Sequence, residues 1–124
     1  MRNLSNDELI YYSATTMTLI DGEYDNSEIR AVLDVVSALT STGIEGINID
    51  QLSKFAQDDI MSMGVEGPAK VVKYNLSRAD AKTQKNVCIA LAHIALADDQ
   101  VADEERKFFN DCLDIAGLTI EDLK

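Results

Sequence analysis

Carboxylate side chains, the groups in this chain best suited to bind a ligand, concentrate in two short segments. Each segment follows an apolar, helix-like run that ends in an aspartate, and each leads into a second amphipathic run. The predicted ligands of these two acidic corners are Asp21, Glu23, Asp25 and Glu28 at the first, and Asp98, Asp99, Asp103 and Glu105 at the second. Clustered carboxylates supply the oxygen ligands that calcium and magnesium prefer. The pattern therefore predicts weak binding of a hard divalent cation, with the better site at the first corner.

Neither acidic corner has the calcium-binding loop of an EF-hand. In a loop that starts at Asp21, the sixth position is Asn26 where glycine is required, and the twelfth is Val32 where a bidentate glutamate is required. In a loop that starts at Asp98, the twelfth position is Phe109. A structural explanation also competes with cation binding, because acids between two helices cap the free N–H groups of the second helix. Both interpretations stay open on the sequence alone.

The chain lacks the residues that nucleophilic catalysis would need. A serine or cysteine nucleophile requires a nearby base and an orienting acid, and His93 is the sole histidine, set in an apolar run. We expect it to be a core or boundary residue. Cys88 and Cys112 lie in helical apolar patterns without C-x-x-C spacing, so they are predicted to be buried thiols. The sequence therefore predicts a protein that is not an enzyme.

Basic residues are concentrated in one stretch of the chain. Five of the eleven lysines and arginines lie there, with Asp80 as the one acid among them. These five residues are Lys70, Lys73, Arg78, Lys82 and Lys85. A basic patch on an otherwise acidic surface favours the oriented docking of a partner protein. A solvated helix face would carry the same pattern, so the patch is a candidate docking surface.

Composition limits the classes of function. The 124 residues suffice for one domain with a real core, and the formal net charge of −11 disfavours nucleic acid as a partner. The longest apolar run, from Val87 to Ala97, is too short to cross a bilayer. The first residues lack the basic stretch, apolar core and cleavage site of a signal peptide. We therefore expect a cytoplasmic protein that does not itself span a membrane.

Helical periodicity and capping signals recur throughout the chain, and no strand-like alternation competes with them. The predicted helices run from the Ser5 cap to about Ile20, from the Asp25 cap to about Thr40, from the Asn48 cap to Gly64, from Gly67-Pro68 to about Ser77, through Ala79 to Ala97, from about Asp103 to Ala116, and over a last short turn capped at Thr119. The segment from Val87 to Ala97 is apolar on every side and is predicted to be the most buried. Met17, Met61 and Met63 are expected in the core, with an exposed partner surface as the alternative. The prediction is a single all-α domain over residues 1–124, a bundle of six or seven helices with two pseudo-repeated helix–acidic turn–helix units.

The duplicated corner resembles a motif of the TerB-like family, which includes tellurite-resistance TerB and the N-terminal domain of DjlA. Asp21-Gly22-Glu23-Tyr24 matches the first copy of the motif, and the segment from Ala97 to Val101 with Glu104-Glu105-Arg106 matches the second. The second copy departs from the pattern at Asp99, Gln100 and Ala102. We therefore expect it to bind a cation more weakly than the first.

The resemblance implies an all-helical domain without established catalysis, linked to tellurite resistance and stress responses. It further implies metal binding through the acidic residues and association with membrane or chaperone partners. Tellurite is an oxyanion, and a protein of charge −11 is a poor direct sink for it. The predicted function is therefore a protein-docking module, with weak calcium or magnesium binding at its acidic turns. The alternative is a metal-sensing or metal-sequestering protein that uses the paired corners.

Overall fold

A computed structural model describes residues 2–20, 26–40, 46–97 and 103–123, without the side chains of 26–29, 31, 96 and 97. Within these ranges the chain is all-helical, which confirms the predicted fold class. The helices, in chain order, are α1 (Asn6–Ile20), α2 (Asn26–Leu39), α3 (Ile49–Met63), α4 (Gly67–Arg78), α5 (Ala81–Ala97), α6 (Asp103–Ala116) and a closing 3₁₀ helix (Ile120–Leu123). One hydrophobic core joins α1 to the other five α-helices, so they form a single bundle.

Local capping residues set several helix boundaries where the sequence predicts them. Ser5 and Glu8 form a capping box before α1: the Glu8 N–H donates to Ser5 Oγ at 3.3 Å, and the Ser5 N–H donates to Glu8 Oε1 at 2.8 Å. Asn48 Oδ1 accepts a hydrogen bond from the Gln51 N–H at 3.0 Å at the start of α3. Gly117 follows α6 with a positive φ of 68°, the conformation that ends helices and favours glycine.

The boundary between α4 and α5 differs slightly from the prediction. Helix α5 begins at Ala81 rather than Ala79. Its cap is Asp80, whose Oδ1 accepts a hydrogen bond from the Thr83 N–H at 2.7 Å. Hydrogen bonds from Thr83 also lower the pKa of the Asp80 carboxyl. Asp80 is thus a helix cap within the basic stretch.

Helix α1, not α5, lies at the centre of the bundle. Ten consecutive residues, 9–18, are buried, and α1 packs against each of the other five α-helices. In α5, by contrast, Ile89 and Ala92 are half-buried and His93 is exposed. The prediction that the segment from Val87 to Ala97 is the most buried was therefore wrong, because its small and apolar side chains still leave one stripe facing solvent.

Two of the four buried serine and threonine hydroxyls of α1 form hydrogen bonds within the helix, whereas those of Ser13 and Thr15 have no partner among the described residues. Thr16 Oγ1 donates to the Tyr12 carbonyl at 2.7 Å, and Thr18 Oγ1 donates to the Thr15 carbonyl at 2.7 Å. A buried hydroxyl that bonds back to its own helix needs no partner on a neighbouring helix. Thr16 and Thr18 therefore pack in the interior without requiring water.

The corner between α3 and α4 depends on two glycines with different roles. Gly64 has a φ of 86° at the end of α3, and its N–H donates to the Ile60 carbonyl at 2.8 Å. Gly67 begins α4 so close to α3 that a Cβ atom there would lie 2.3 Å from the Asp59 carbonyl oxygen. A side chain at position 67 would therefore force the backbones of the two helices apart.

Replacing Gly67 by alanine should destabilise the fold by about 1–3 kcal/mol, the usual cost of overpacking. The control is Glu66→Ala at the preceding exposed position, whose side chain makes no capping hydrogen bond. We expect the control to change stability by less than about 0.5 kcal/mol. Urea denaturation followed by circular dichroism measures both changes. Equal stability of the Gly67→Ala variant and the wild type would contradict the close approach of α3 and α4.

Candidate functional site

Most of the predicted cation ligands lie outside the described residues, namely Asp21, Glu23, Asp25, Asp98 and Asp99. The backbone of Glu28 belongs to α2, but its side chain is not described. Asp103 is exposed at the start of α6, and Glu105, in the first turn of that helix, is 3% exposed. Among the described residues, no group of three or more histidine, cysteine or acidic side chains is arranged to hold a metal. The cation site therefore stays a prediction.

The described helix ends beside the two acidic corners meet at one groove. Ile20, the last residue of α1, and Glu104, in the first turn of α6, both line it. The groove runs between α4 and α6 and has a volume of about 390 Å³. The fold thus brings together the flanks of two segments that are far apart in sequence.

The groove, here called the α4–α6 groove, combines an apolar interior with a charged rim. Ile20, Ala69 and the buried ring of Phe108 contribute apolar surface, and Val65 stands at its edge with 76% of its surface exposed. Lys73 Nζ and Asp111 Oδ2 form an ion pair at 2.8 Å between the two helices.

Charges on the rim follow the order of the two helices. Glu66 and Glu104 lie at the starts of α4 and α6, and Lys70 and Lys107 follow about one turn later. Lys73 and Asp111, which pair with each other, come about one turn after Lys70 and Lys107, so α4 and α6 run in the same direction along the groove. The exposed rim therefore has an acidic end and a basic end.

Three exposed apolar side chains lie close together in sequence near the α3–α4 corner, and one of them, Val65, lines the α4–α6 groove. Of the four large apolar residues exposed in the described chain, Met61, Met63 and Val65 lie at the α3–α4 corner, with 86%, 36% and 76% of their surfaces exposed. Met17 is in the core as expected. Met61 and Met63 are exposed instead, which was the alternative expectation for the methionines. Sequence periodicity alone did not separate them from core residues, because α3 continues its apolar pattern to its end.

The five basic residues are divided among different surroundings. Lys70 and Lys73 line the α4–α6 groove, whereas Lys82 lines a second cleft, of about 500 Å³, beside the start of α1 and the end of α2. Arg78 lies over the Tyr74 ring, with its guanidinium carbon 5.2 Å from the ring centre and a hydrogen bond to the hydroxyl. Lys85 is exposed on α5. The two clefts share no lining residue, so these residues belong to at least two surfaces.

The cysteines are buried, as predicted, and lie within the core. Burial raises the pKa of the Cys88 thiol to about 11 and raises that of Cys112 further. Since the thiolate is the reactive form, neither thiol is suited to nucleophilic chemistry at neutral pH. His93 is exposed, rather than hydrogen-bonded within the core.

No family model matches the sequence, and neither a curated protein nor a solved structure matches it. The TerB-like resemblance therefore depends on the residues of the two acidic corners. None of the described helices combines the length and apolar composition needed to cross a lipid bilayer.

Both thiols should resist a water-soluble disulfide reagent at pH 8 while the protein is folded, and both should react rapidly in denaturant. The folded state keeps the Cys88 thiol protonated because its pKa is raised to about 11, and the core blocks access to both sulfurs. Absorbance of the released reagent, with and without urea, measures the reaction. Rapid modification of one thiol in the folded protein would show that it is accessible and would contradict its burial in the core.

Proposed function

We propose that this chain is a non-catalytic, TerB-like protein-docking module that acts in the cytoplasm, in tellurite resistance or a related stress response. Its docking surface is the α4–α6 groove with the adjoining apolar corner. The observation that carries this proposal is the apolar interior of the groove, formed by Ile20, Ala69 and Phe108, with the exposed Val65 at its edge. Exposed apolar surface at a groove is typical of sites that bind other proteins.

The shape of the surface supports an amphipathic helix of a partner protein as the ligand. The groove lies between two helices of 12 and 14 residues, each about 20 Å long. An apolar stripe on the partner would enter the groove beside Phe108, and the unbranched side chains of Met61 and Met63 can adapt to its shape.

Rim charges define the orientation of that partner helix. Basic side chains of the partner would lie over Glu66 and Glu104, and acidic ones over Lys70 and Lys107. Such complementarity gives specificity and orientation more than raw affinity. Lys73 contributes less to docking, because it is paired with Asp111 within the chain.

A photo-crosslinking amino acid at position 65 should give a defined covalent adduct with a partner in the cells that make this protein. Charge reversal at the groove, Lys70→Glu with Lys107→Glu, should reduce that adduct by about tenfold or more, because it removes the basic end of the rim. The same net charge change at Lys82→Glu with Lys85→Glu should leave it intact, since Lys82 lines a different cleft. Mass spectrometry of the adduct measures the yield.

A second crosslinker position, at the exposed Ser77 outside the groove, controls for random collisions. Equal adducts at positions 65 and 77, or equal loss with both charge-reversed pairs, would contradict docking at the α4–α6 groove. Retention of the adduct in a chelator is the result expected for a docking module. Loss of the adduct in a chelator, with recovery on adding calcium, would favour a metal-sensing function instead.

The alternative function is metal sensing or sequestration by calcium or magnesium at the acidic corners. It is favoured by one observation, that Ile20 and Glu104 line the same groove and so bring the described flanks of both corners together. Pooled carboxylates would bind a hard cation in preference to zinc, which prefers nitrogen and sulfur ligands.

If this alternative is correct, 10 mM calcium or magnesium should raise the melting temperature of metal-free protein by roughly 4 °C, because a cation that binds only the folded state stabilises it. The change should be absent in an Asp21→Asn, Asp25→Asn double variant. An Asp50→Asn, Asp58→Asn variant, altered on α3, serves as the control for general charge effects. Equal melting shifts in both variants would show that the cations only screen surface charge. Helix capping would then be the remaining explanation of the acidic corners.

A further inference from the structure

Residues 2–4, which precede α1, are held by an ion pair to α3. Nε and Nη2 of Arg2 donate hydrogen bonds to the two carboxylate oxygens of Asp59, at 3.2 and 3.0 Å. The guanidinium carbon also lies 3.8 Å from the centre of the Phe55 ring. A bidentate carboxylate and an aromatic face are the two contacts that select an arginine over a lysine. The site therefore recognises a guanidinium group specifically.

The backbone of the same segment is bound by one side chain of α4. Asn75 Oδ1 accepts a hydrogen bond from the Leu4 N–H at 2.8 Å, and Asn75 Nδ2 donates to the Arg2 carbonyl at 2.8 Å. The amide thus bonds the main chain on both sides of Asn3, whose own side chain is exposed. Contacts to main-chain groups do not depend on the residue between them, so they suit any extended segment.

The binding groups are fixed by the helix bundle rather than by the segment. The buried Asp59 side chain accepts a hydrogen bond from the Tyr12 hydroxyl at 2.5 Å, and Asn75 Nδ2 also donates to the Val71 carbonyl at 2.8 Å. Burial and the contact with Asp59 raise the pKa of Tyr12, so its hydroxyl stays a donor. These contacts pre-organise the carboxylate and the amide before a segment binds.

Departure of the segment would leave α1 intact. The Ser5–Glu8 capping box starts the helix without any contribution from residues 2–4. In the bound arrangement 25% of the Arg2 side-chain surface is exposed to solvent, against 7% of the Asp59 side-chain surface. The segment therefore lies across the surface over a buried receptor, and no helix has to unfold when it leaves.

We propose that Phe55, Asp59 and Asn75 form a peptide-binding site for an extended segment of a partner protein that carries an arginine followed, two residues later, by an aliphatic residue. Residues 2–4 occupy this site within the chain and compete with the partner. The proposal is independent of docking at the α4–α6 groove, since none of these residues lines that groove.

The probe is a fluorescently labelled hexapeptide, Met-Arg-Asn-Leu-Ser-Asn, and fluorescence anisotropy measures its binding to full-length protein. A tethered segment competes at millimolar effective concentration, so the Arg2→Ala variant should bind the peptide about tenfold or more tightly than the wild type. Adding Asp59→Asn to Arg2→Ala should abolish that gain. Arg106→Ala, which removes an exposed arginine of α6, should behave like the wild type. A peptide with citrulline in place of arginine keeps the shape without the charge and should not bind.

Arg2→Lys provides a second variant in case Arg2→Ala does not fold, because it keeps a cation beside Asp59 but loses the bidentate contact. It should bind the peptide more tightly than the wild type. Thermal melting shows which variants are folded. Absence of peptide binding by a folded Arg2 variant, or equal binding of the citrulline peptide, would overturn the proposal. A stable dimer that exchanges residues 2–4 between copies, seen by sedimentation, would assign the site to self-association and would also overturn it.

Discussion

Helix α1 is surrounded by the other five α-helices, and its central position governs the bundle even though the buried Ser13 and Thr15 hydroxyls have no hydrogen-bond partner among the described residues. Its ten buried residues include four hydroxyl side chains besides the tyrosines, and no charged side chain occurs among them. Thr16 and Thr18 bond back to their own helix. The other five helices can then pack around α1 with apolar faces. Charges are left to the outer surfaces, which is where an acidic chain of this size must place them.

Two buried carboxylates among the described residues depart from this rule: Glu105 in α6, and Asp59, which lies where α1, α3 and α4 meet. A buried carboxylate is unfavourable unless it is paired and hydrogen-bonded. Asp59 meets this condition through Arg2 and Tyr12. Hydrophobic residues of similar size commonly stabilise a fold at least as well as a buried ion pair. The pair is therefore weak evidence for added stability, and the peptide-binding site proposed above gives it a role in recognising a guanidinium group.

The parts of the fold that sequence analysis predicted well depend on neighbouring residues. Caps at Ser5 and Asn48 and the stop at Gly117 are local, and they are present as expected. Burial was predicted less well, because it depends on which helix the others surround. The run from Val87 to Ala97 is more apolar than the threonine-containing α1, yet α1 is central.

Neither the groove nor the guanidinium site could be predicted, because both depend on contacts between residues far apart in the sequence. Lys73 and Asp111 pair across 38 positions, and Arg2 and Asp59 pair across 57. The sequence around Asn75 gives no signal of its role, since its partners Arg2 and Leu4 lie 73 and 71 positions away in the chain. Grouping lysines by sequence also joined Lys70 to Lys82, which line separate clefts.

The central position of α1 has a consequence for the synthesis of the chain on the ribosome. Of the six described α-helices, α1 is made first, yet its burial includes contacts with α6, the sixth in order. At 5–20 residues per second, on the order of ten seconds separate the two helices. During that interval the residues of α1 that become buried in the fold are only partly covered. The described helix that waits longest for its partners during translation is thus the one that becomes least accessible in the folded protein.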